Sequence, residues 1–243
     1  MRAWWAQTLA EVRMTVRRGE TLLLTIAIPV GLLVFFALVR VTATPTAHRV
    51  DFIAPGILAL CVLSTSMVAL SIATGFERSF GVLRRLYVTP LGQRRLVGAK
   101  VAAVLVTEFL QVVILSAVAL LLGWRPHGGA AGAAGVIVVM ILGSAGLAGI
   151  GLALAGRLRA EVNLPATNGL YLVLLLLSGI VLPTSSLPTD LARLMVALPS
   201  GALAESLHRI LGSGIGPSGS DWLSLSAWAV VAPLLAARSF RYD

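Results

Sequence analysis

The sequence predicts an all-α, polytopic membrane protein of about six transmembrane helices. Hydrophobic residues make up 58% of the chain and charged residues only 12%, and the mean hydropathy is +0.93. A soluble domain carries roughly 25% charged residues, because its surface must face water. At roughly 20 residues for each span, with loops between them, the 243 residues accommodate about six spans.

Six apolar stretches provide the predicted spans. They lie at 21–39, 52–75, 98–122, 132–155, 164–182 and 222–237. The fourth is rich in glycine, at Gly135, Gly143, Gly146, Gly149 and Gly151. Small residues let helices approach closely in lipid, where side-chain packing drives association. We therefore expect the fourth span to be buried in a helix bundle or a subunit interface.

Residues 1–20 predict an amphipathic helix that lies on the membrane surface. One face of this helix carries Trp5, Leu9, Val12 and Val16, and another carries Arg13, Arg17 and Glu20. Tryptophan is favoured at the level of the lipid headgroups, and arginine is attracted to anionic lipid. An ordinary solvated helix would show similar spacing, but the paired tryptophans favour the membrane surface.

The distribution of basic residues predicts that both termini are cytoplasmic. With the N-terminus inside, the inner segments hold 14 of the 19 basic residues, and six of these 14 lie in the stretch from Arg78 to Lys100, which leads into the third span. The outer segments hold Arg40, Arg49, Arg125, Arg193 and Arg209. Cytoplasmic loops are enriched in arginine and lysine, so this orientation is favoured. The excess of basic residues in the inner segments also accounts for the net charge of +9. The charge therefore does not indicate a nucleic-acid partner.

The inner loop at 76–97 predicts a short amphipathic helix at the cytoplasmic face. Helical spacing relates Phe76, Phe80, Leu83 and Tyr87, and Thr89-Pro90 ends the pattern, because the residue before a proline disfavours helix. Such a helix suits docking into a groove on a soluble partner. A solvated basic loop that obeys the positive-inside rule would explain the pattern equally well.

The outer loop at 183–221 is semi-apolar and predicts a short helical hairpin before the last span. Prolines interrupt it at Pro183, Pro188, Pro199 and Pro217. Two amphipathic pieces, at 188–198 and 200–211, are too short to cross a bilayer. We expect them to dip into the outer leaflet, which is tolerated where protein covers the backbone.

The inner loop resembles the signature of the ABC type-2 permeases, the membrane subunits of many bacterial exporters of drugs, antibiotics and polysaccharides. The matching positions are Glu77, Arg78, Gly81, Leu83, Leu86, Thr89, Pro90, Leu91, Gly98 and Lys100. Pro55-Gly56 and the proline-rich stretch at 178–210 are similar to further family features. Within the family, the chain most resembles the daunorubicin-resistance-type drug exporters.

This resemblance implies an exporter permease, with residues 1–243 forming one transmembrane domain in the bacterial cytoplasmic membrane. Two permease subunits, identical or different, would each rest on a P-loop ATPase subunit. The inner loop would be the coupling helix, with Glu77, Arg78, Gly81, Leu83, Arg84, Thr89 and Pro90 as coupling residues. The substrate would be a drug, an antibiotic, or a lipid-like or other amphipathic molecule.

The chain itself lacks the residues for ATP hydrolysis. A P-loop needs a lysine followed by serine or threonine, and the only lysine, Lys100, precedes Val101. We therefore expect ATP and Mg²⁺ on a separate subunit, with no cofactor and no catalytic site here. The single cysteine and three scattered histidines predict no metal site.

Glu108 is the one carboxylate predicted inside a span, with Gln111 three residues later. An ionised acid at that depth costs roughly 2.5–3.5 kcal/mol and usually faces a bundle interior. Glu108, Gln111 and Asn168 could line a pathway for a cationic substrate. Glu108 could instead lie near the inner boundary, or bond to Asn163 or Asn168.

Other kinds of protein compete with the exporter interpretation, among them a channel and a purely structural membrane subunit. A secondary transporter could use Glu108 as an ion or proton site, but it usually has an internal repeat, and none is evident. An intramembrane serine protease built on Ser144 would need a histidine base on a neighbouring span. The predicted spans contain no histidine.

Overall fold

The computed structural model describes residues 2–17, 19–39, 49–87, 92–180 and 189–239, and all their regular structure is helical. The helices are α1 (Arg2–Arg17), α2 (Gly19–Leu38), α3 (Arg49–Val62), α4 (Leu70–Ser79), α5 (Val82–Tyr87), α6 (Gln93–Leu121), α7 (Gly129–Arg157), α8 (Ala160–Leu176), α9 (Thr189–Ala197), α10 (Pro199–Ser213) and α11 (Gly219–Ser239). A π-helical segment, Leu63–Ala69, joins α3 to α4 in one continuous run.

Four helical runs of the described chain are long and apolar enough to cross a membrane. They are Arg49–Ser79, Arg95–Leu121, Gly129–Arg157 and Gly219–Arg238, which coincide with the second, third, fourth and sixth predicted spans. The protein is therefore a polytopic membrane protein, as its composition predicts. The first predicted span lies in α2, whose apolar part is Thr25–Leu38, and the fifth lies in α8. The count of six remains a prediction.

The end of α8 differs from the predicted fifth span at 164–182. The helix ends at Leu176, six residues early. The Ser178 hydroxyl donates to the Leu175 carbonyl at 2.6 Å, and Gly179 has a φ of +74°. Glycine adopts this left-handed conformation readily, so the chain has left the helix by Gly179. Residues 181 and 182 of the predicted span lie outside the described residues.

Helix α7 lies at the centre of the bundle and is largely buried, as its glycines predict. Its most extensive contact is with α11, and it also packs against α4, α10 and the π-helical segment. A Cβ atom added to Gly149 would lie 2.5 Å from the Ala232 carbonyl carbon. One added to Gly151 would lie 2.5 Å from the Met67 carbonyl oxygen. Glycine therefore permits backbone contact on two sides of α7.

Helices α9 and α10 coincide with the two predicted pieces of the outer hairpin. Both are fixed to the bundle, since the Ala197 carbonyl accepts hydrogen bonds from the Ser224 hydroxyl at 3.1 Å and the Trp228 indole at 2.9 Å. Most of α10 is buried against α3 and α7. Protein therefore covers α10, as a non-spanning segment at membrane depth requires.

The inner loop differs from the single amphipathic helix that the spacing predicts. Helix α4 continues to Ser79, and Gly81, with a φ of +72°, separates it from α5. As a result Phe80 is exposed and Leu83 is buried. The prediction that Phe80 and Leu83 share one helical face is wrong, because the glycine turn reorients the chain between them.

Helix α1 packs along α6 with its polar side turned toward the bundle. Thr8 and Glu11 are buried, whereas Trp5 and Leu9 are exposed. Trp4 lies over Gly98 of α6, where an added Cβ would be 3.2 Å from the indole nitrogen. The exposed apolar side fits the predicted position at the membrane surface.

We predict that Gly149→Ala destabilises the bundle and that Gly169→Ala, in α8, does not. The new methyl group at Gly149 would meet the backbone of α11, whereas Gly169 has no atom within 4 Å of the added Cβ. Overpacking costs roughly 1–3 kcal/mol, and an exposed helical glycine gains stability on change to alanine. Thermal melting in detergent, followed by size-exclusion fluorescence, measures both. Equal melting temperatures would contradict the close contact of α7 with α11.

Candidate functional site

A buried ion cluster joins three helices next to the inner loop. The Lys100 ammonium of α6 lies 2.6 Å from Glu77 Oε2 of α4 and 2.9 Å from Glu11 Oε1 of α1. The Gln7 amide also donates to Glu11 Oε1, at 2.8 Å. Only 1% of Lys100 is exposed, so its charge is balanced within the protein and not by water.

The energetics of burial make this cluster a strong constraint on helix position. Removing a lysine ammonium from water costs several kcal/mol unless close carboxylates and hydrogen bonds compensate it. Here the two carboxylates come from different helices, so Lys100 is compensated only while α1 and α4 both lie against α6. The cluster thereby couples the positions of the N-terminal helix and the inner loop.

Arg78 connects the inner loop to the centre of the bundle. Its guanidinium Nη1 donates to the carbonyl oxygens of Ala155 and Leu158, both at 3.4 Å. These carbonyls lie at the C-terminal end of α7, where a cation is favoured by the helix dipole and by the free acceptors. The adjacent residues Glu77 and Arg78 therefore fix the end of α4 to three other helices.

Leu83 attaches α5 to the same region through apolar packing. It is buried in a cluster that also contains Leu96 and Val97 of α6 and Leu152 of α7. Gly81 forms the turn before it. Of the other predicted coupling residues, Arg84 lies in α5 without a described side chain, and Thr89 and Pro90 lie outside the described residues.

An exposed aromatic pair projects from the end of α4. The rings of Phe76 and Phe80 stack with centroids 6.2 Å apart, and 75% of Phe80 is exposed. The pair lies beside Glu77 and Arg78, whose side chains are turned to partners inside the protein. Exposed aromatic residues of this kind are typical of contact surfaces for other proteins.

The polar residues within the spans form separate hydrogen-bonded groups. Gln111 donates to the Thr65 hydroxyl at 3.0 Å and to the Thr25 carbonyl at 3.1 Å, and it joins α6 to the π-helical segment and α2. Asn163 donates to the Ser71 carbonyl at 3.0 Å, which joins α8 to α4. Polar contacts between helices hold membrane bundles together in this way.

Glu108 has a different partner from those that the sequence predicts. It accepts a hydrogen bond from the Ser144 hydroxyl of α7, and no bond to Asn163 or Asn168 is found in the described chain. Asn168 is exposed on α8. Glu108 borders a cavity that neither Gln111 nor Asn168 lines, so the structure does not bring the three predicted pathway residues together.

Comparison with known families identifies the chain. A family model described as ABC-2 type transporter matches residues 2–206, from α1 through most of α10. The chain belongs to the ABC-2 type transporter family. It is a permease subunit of an ABC transporter, which is a transport subunit without a catalytic site of its own. Membrane domains of this family generally pair with an ATPase subunit and form dimers. No curated protein matches the chain.

Sequence reasoning missed Glu11, the second partner of Lys100 in this ABC-2 permease. One signal was present: Lys100 is the only lysine of the chain, and it lies near the start of an apolar run. A lysine in such a position requires a carboxylate nearby. The sequence offered Glu11, Glu77 and others for this role, and only the packing of α1 on α6 selects Glu11.

We predict that Lys100→Met lowers the stability of the permease far more than Arg95→Met. Arg95 lies on the same helix but is exposed. Loss of the ammonium leaves two carboxylates together without their buried cation, and breaking a buried ion pair in this way costs roughly 3–5 kcal/mol. Melting of the purified variants in detergent measures the difference.

The triple variant Glu11→Gln, Glu77→Gln, Lys100→Met is the control for charge. It removes all three charges, so we expect it to recover much of the stability that Lys100→Met loses. If Lys100→Met melted at the same temperature as Arg95→Met, the cluster would not be a structural constraint.

Proposed function

We propose that this ABC-2 permease is the membrane subunit of an ATP-driven exporter in the bacterial cytoplasmic membrane. Its cargo would be a drug, an antibiotic, or a lipid-like or other amphipathic molecule, in keeping with the apolar spans. Family membership supports the permease role. The observation that supports coupling to a partner is the Glu11–Lys100–Glu77 cluster, which joins the inner loop to two helices of the bundle.

The inner loop would transmit the movement of the ATPase to the bundle through three residues: Leu83, Lys100 and Arg78. The partner would contact α5 and the exposed Phe76–Phe80 pair. Displacement of α5 would reach α6 and α7 through Leu83. Displacement of the end of α4 would reach α1 and α6 through Lys100, and α7 through Arg78.

Glu77 acts in this proposal as a positioning residue and not as a direct contact to the ATPase. Its carboxylate is bound to Lys100 inside the permease. Its neighbour Arg78 likewise bonds to the end of α7. The two residues would keep the inner loop rigidly attached, so that a push on the loop moves the bundle and is not absorbed locally.

The complete transporter would contain two permease subunits and two P-loop ATPase subunits, with ATP and Mg²⁺ on the latter. The excess of arginine in the inner segments supports an orientation with the inner loop and both termini in the cytoplasm. An ATPase could then reach α1 and α5 from the same side. A role in drug efflux and antibiotic resistance would follow if the cargo is a drug.

The alternative, a secondary transporter with Glu108 as its ion site, has weaker support. Family members generally pair with an ATPase subunit, which a secondary transporter does not need. Glu108 nevertheless lines an apolar cavity.

We predict that Glu77→Lys separates ATP hydrolysis from transport, whereas Glu161→Lys does not. Glu161 is an exposed carboxylate in the first turn of α8, so its reversal changes the same charge outside the cluster. The lysine at position 77 would repel Lys100 and detach the inner loop from α1 and α6. In vesicles, efflux of the fluorescent cation ethidium should fall at least roughly tenfold, while the complex still hydrolyses ATP.

The milder Glu77→Gln variant keeps the shape of the side chain and protects the test against misfolding. We expect it to lose part of the efflux and to insert normally. Efflux by Glu77→Lys equal to that of Glu161→Lys would contradict the coupling role of Glu77.

A further inference from the structure

A cavity of 510 Å³ lies between α6 and α7. Its walls are almost entirely apolar, with Leu105, Phe109 and Val112 from α6 and Val136, Ile137 and Met140 from α7. Leu58 of α3 and Leu211 of α10 complete it. The volume lies within the range of roughly 300–1,000 Å³ that is typical of small-molecule sites.

Two buried polar atoms, on two residues that line this cavity, have no hydrogen-bond partner among the described residues. They are Oε1 of Glu108 and Nε1 of Trp124. Ser144 satisfies only the other oxygen of the Glu108 carboxyl. A buried polar atom without a partner costs roughly 1–3 kcal/mol, and such atoms are rare enough in native proteins to need an explanation.

Glu108 and Trp124 lie far apart along the axis of α6. Glu108 is near the middle of α6, whereas Trp124 follows its last residue, Leu121. At 1.5 Å for each helical residue, Glu108 lies roughly 20 Å along the axis from that helix end. A molecule that satisfies both atoms must therefore be long, apolar in its middle and polar near both ends.

The chemistry of the two atoms limits what the molecule can be. The carboxylate oxygen accepts a hydrogen bond, and the indole N–H donates one. The residues that line the cavity include no arginine, lysine or histidine, so no cation from this part of the described chain faces Glu108. A protonated amine would supply both a donor and a compensating charge.

We propose that this cavity binds an elongated amphipathic amine. The ammonium group would lie at Glu108, the hydrocarbon body between α6 and α7, and a hydrogen-bond acceptor at Trp124. That the bound molecule is the cargo of the exporter rests on the proposed function. Binding itself does not, because it requires only the residues of this chain.

The test uses a dodecylamine that carries a photoreactive diazirine in its chain. The purified permease in nanodiscs of zwitterionic lipid is irradiated with this probe, and labelled peptides are mapped by mass spectrometry. We expect saturable labelling of the α6 and α7 peptides that contain Phe109 and Ile137, competed by free dodecylamine. Labelling by the matching diazirine alcohol and by the diazirine fatty acid shows how much the positive charge of the amine contributes to binding.

Two pairs of proteins make the test specific. Glu108→Gln should weaken labelling by the amine roughly tenfold or more, because a charge-assisted hydrogen bond is lost, and should leave labelling by the alcohol unchanged. Ala133→Phe should narrow the cavity and weaken labelling, while Ala134→Phe, the neighbouring exposed position that does not line the cavity, should not.

The proposal is overturned if the amine and the fatty acid label equally, or if Glu108→Gln has no effect on labelling by the amine. The cavity would then hold any alkyl chain, whatever its head group. The proposal is also overturned if Ala133→Phe separates permease dimers while no labelling saturates. The cavity would then be part of the contact between two permease subunits. ATP hydrolysis in the native complex separates the two proposals. If the complex hydrolyses ATP but no labelling saturates, the amine site is overturned and the exporter proposal stands. If labelling saturates but no ATPase is present, the exporter proposal is overturned and the amine site stands.

Discussion

The burial of Lys100 is the constraint on which the inner half of this permease depends. A single ammonium, almost without exposure to solvent, is compensated by Glu11 and Glu77 from two other helices. Separating either helix from α6 would leave part of that charge uncompensated in an apolar region, at a cost of several kcal/mol. The N-terminal helix and the inner loop are therefore fixed to the bundle by one shared interaction.

The second constraint is the close approach of helix backbones around α7. Gly149 and Gly151 allow α11 and the π-helical segment to contact its backbone, and its C-terminal carbonyls accept hydrogen bonds from Arg78. In lipid, tight packing of this kind replaces the hydrophobic effect as the main cause of association between helices. A push on the inner loop would consequently reach the most closely packed helix of the protein directly, through Arg78 and Leu83.

Hydropathy predicted the long helices because an apolar run in lipid must satisfy its own backbone hydrogen bonds, and glycine spacing predicted the burial of α7. Local turns were harder to predict. Gly81 and Gly179 end or redirect helices whose side-chain pattern continues past them, since periodicity records side chains and not backbone angles. The partners of Lys100 and Glu108 depend on which helices pack together, so Glu11 and Ser144 could not be selected from spacing alone. The π-helical segment, Leu63–Ala69, has no recognisable pattern in the sequence.

In the proposed function, this chain is one subunit of a transporter whose energy comes from a separate ATPase subunit. Purification of the tagged permease from its native host in mild detergent tests that claim most directly. We predict that a P-loop ATPase is recovered in equal amount, and that the complex still hydrolyses ATP but loses transport when Glu77 of the permease is reversed in charge. Recovery of the permease without an ATPase, under conditions that preserve other membrane complexes, would contradict the account and favour a transporter driven by ions at Glu108.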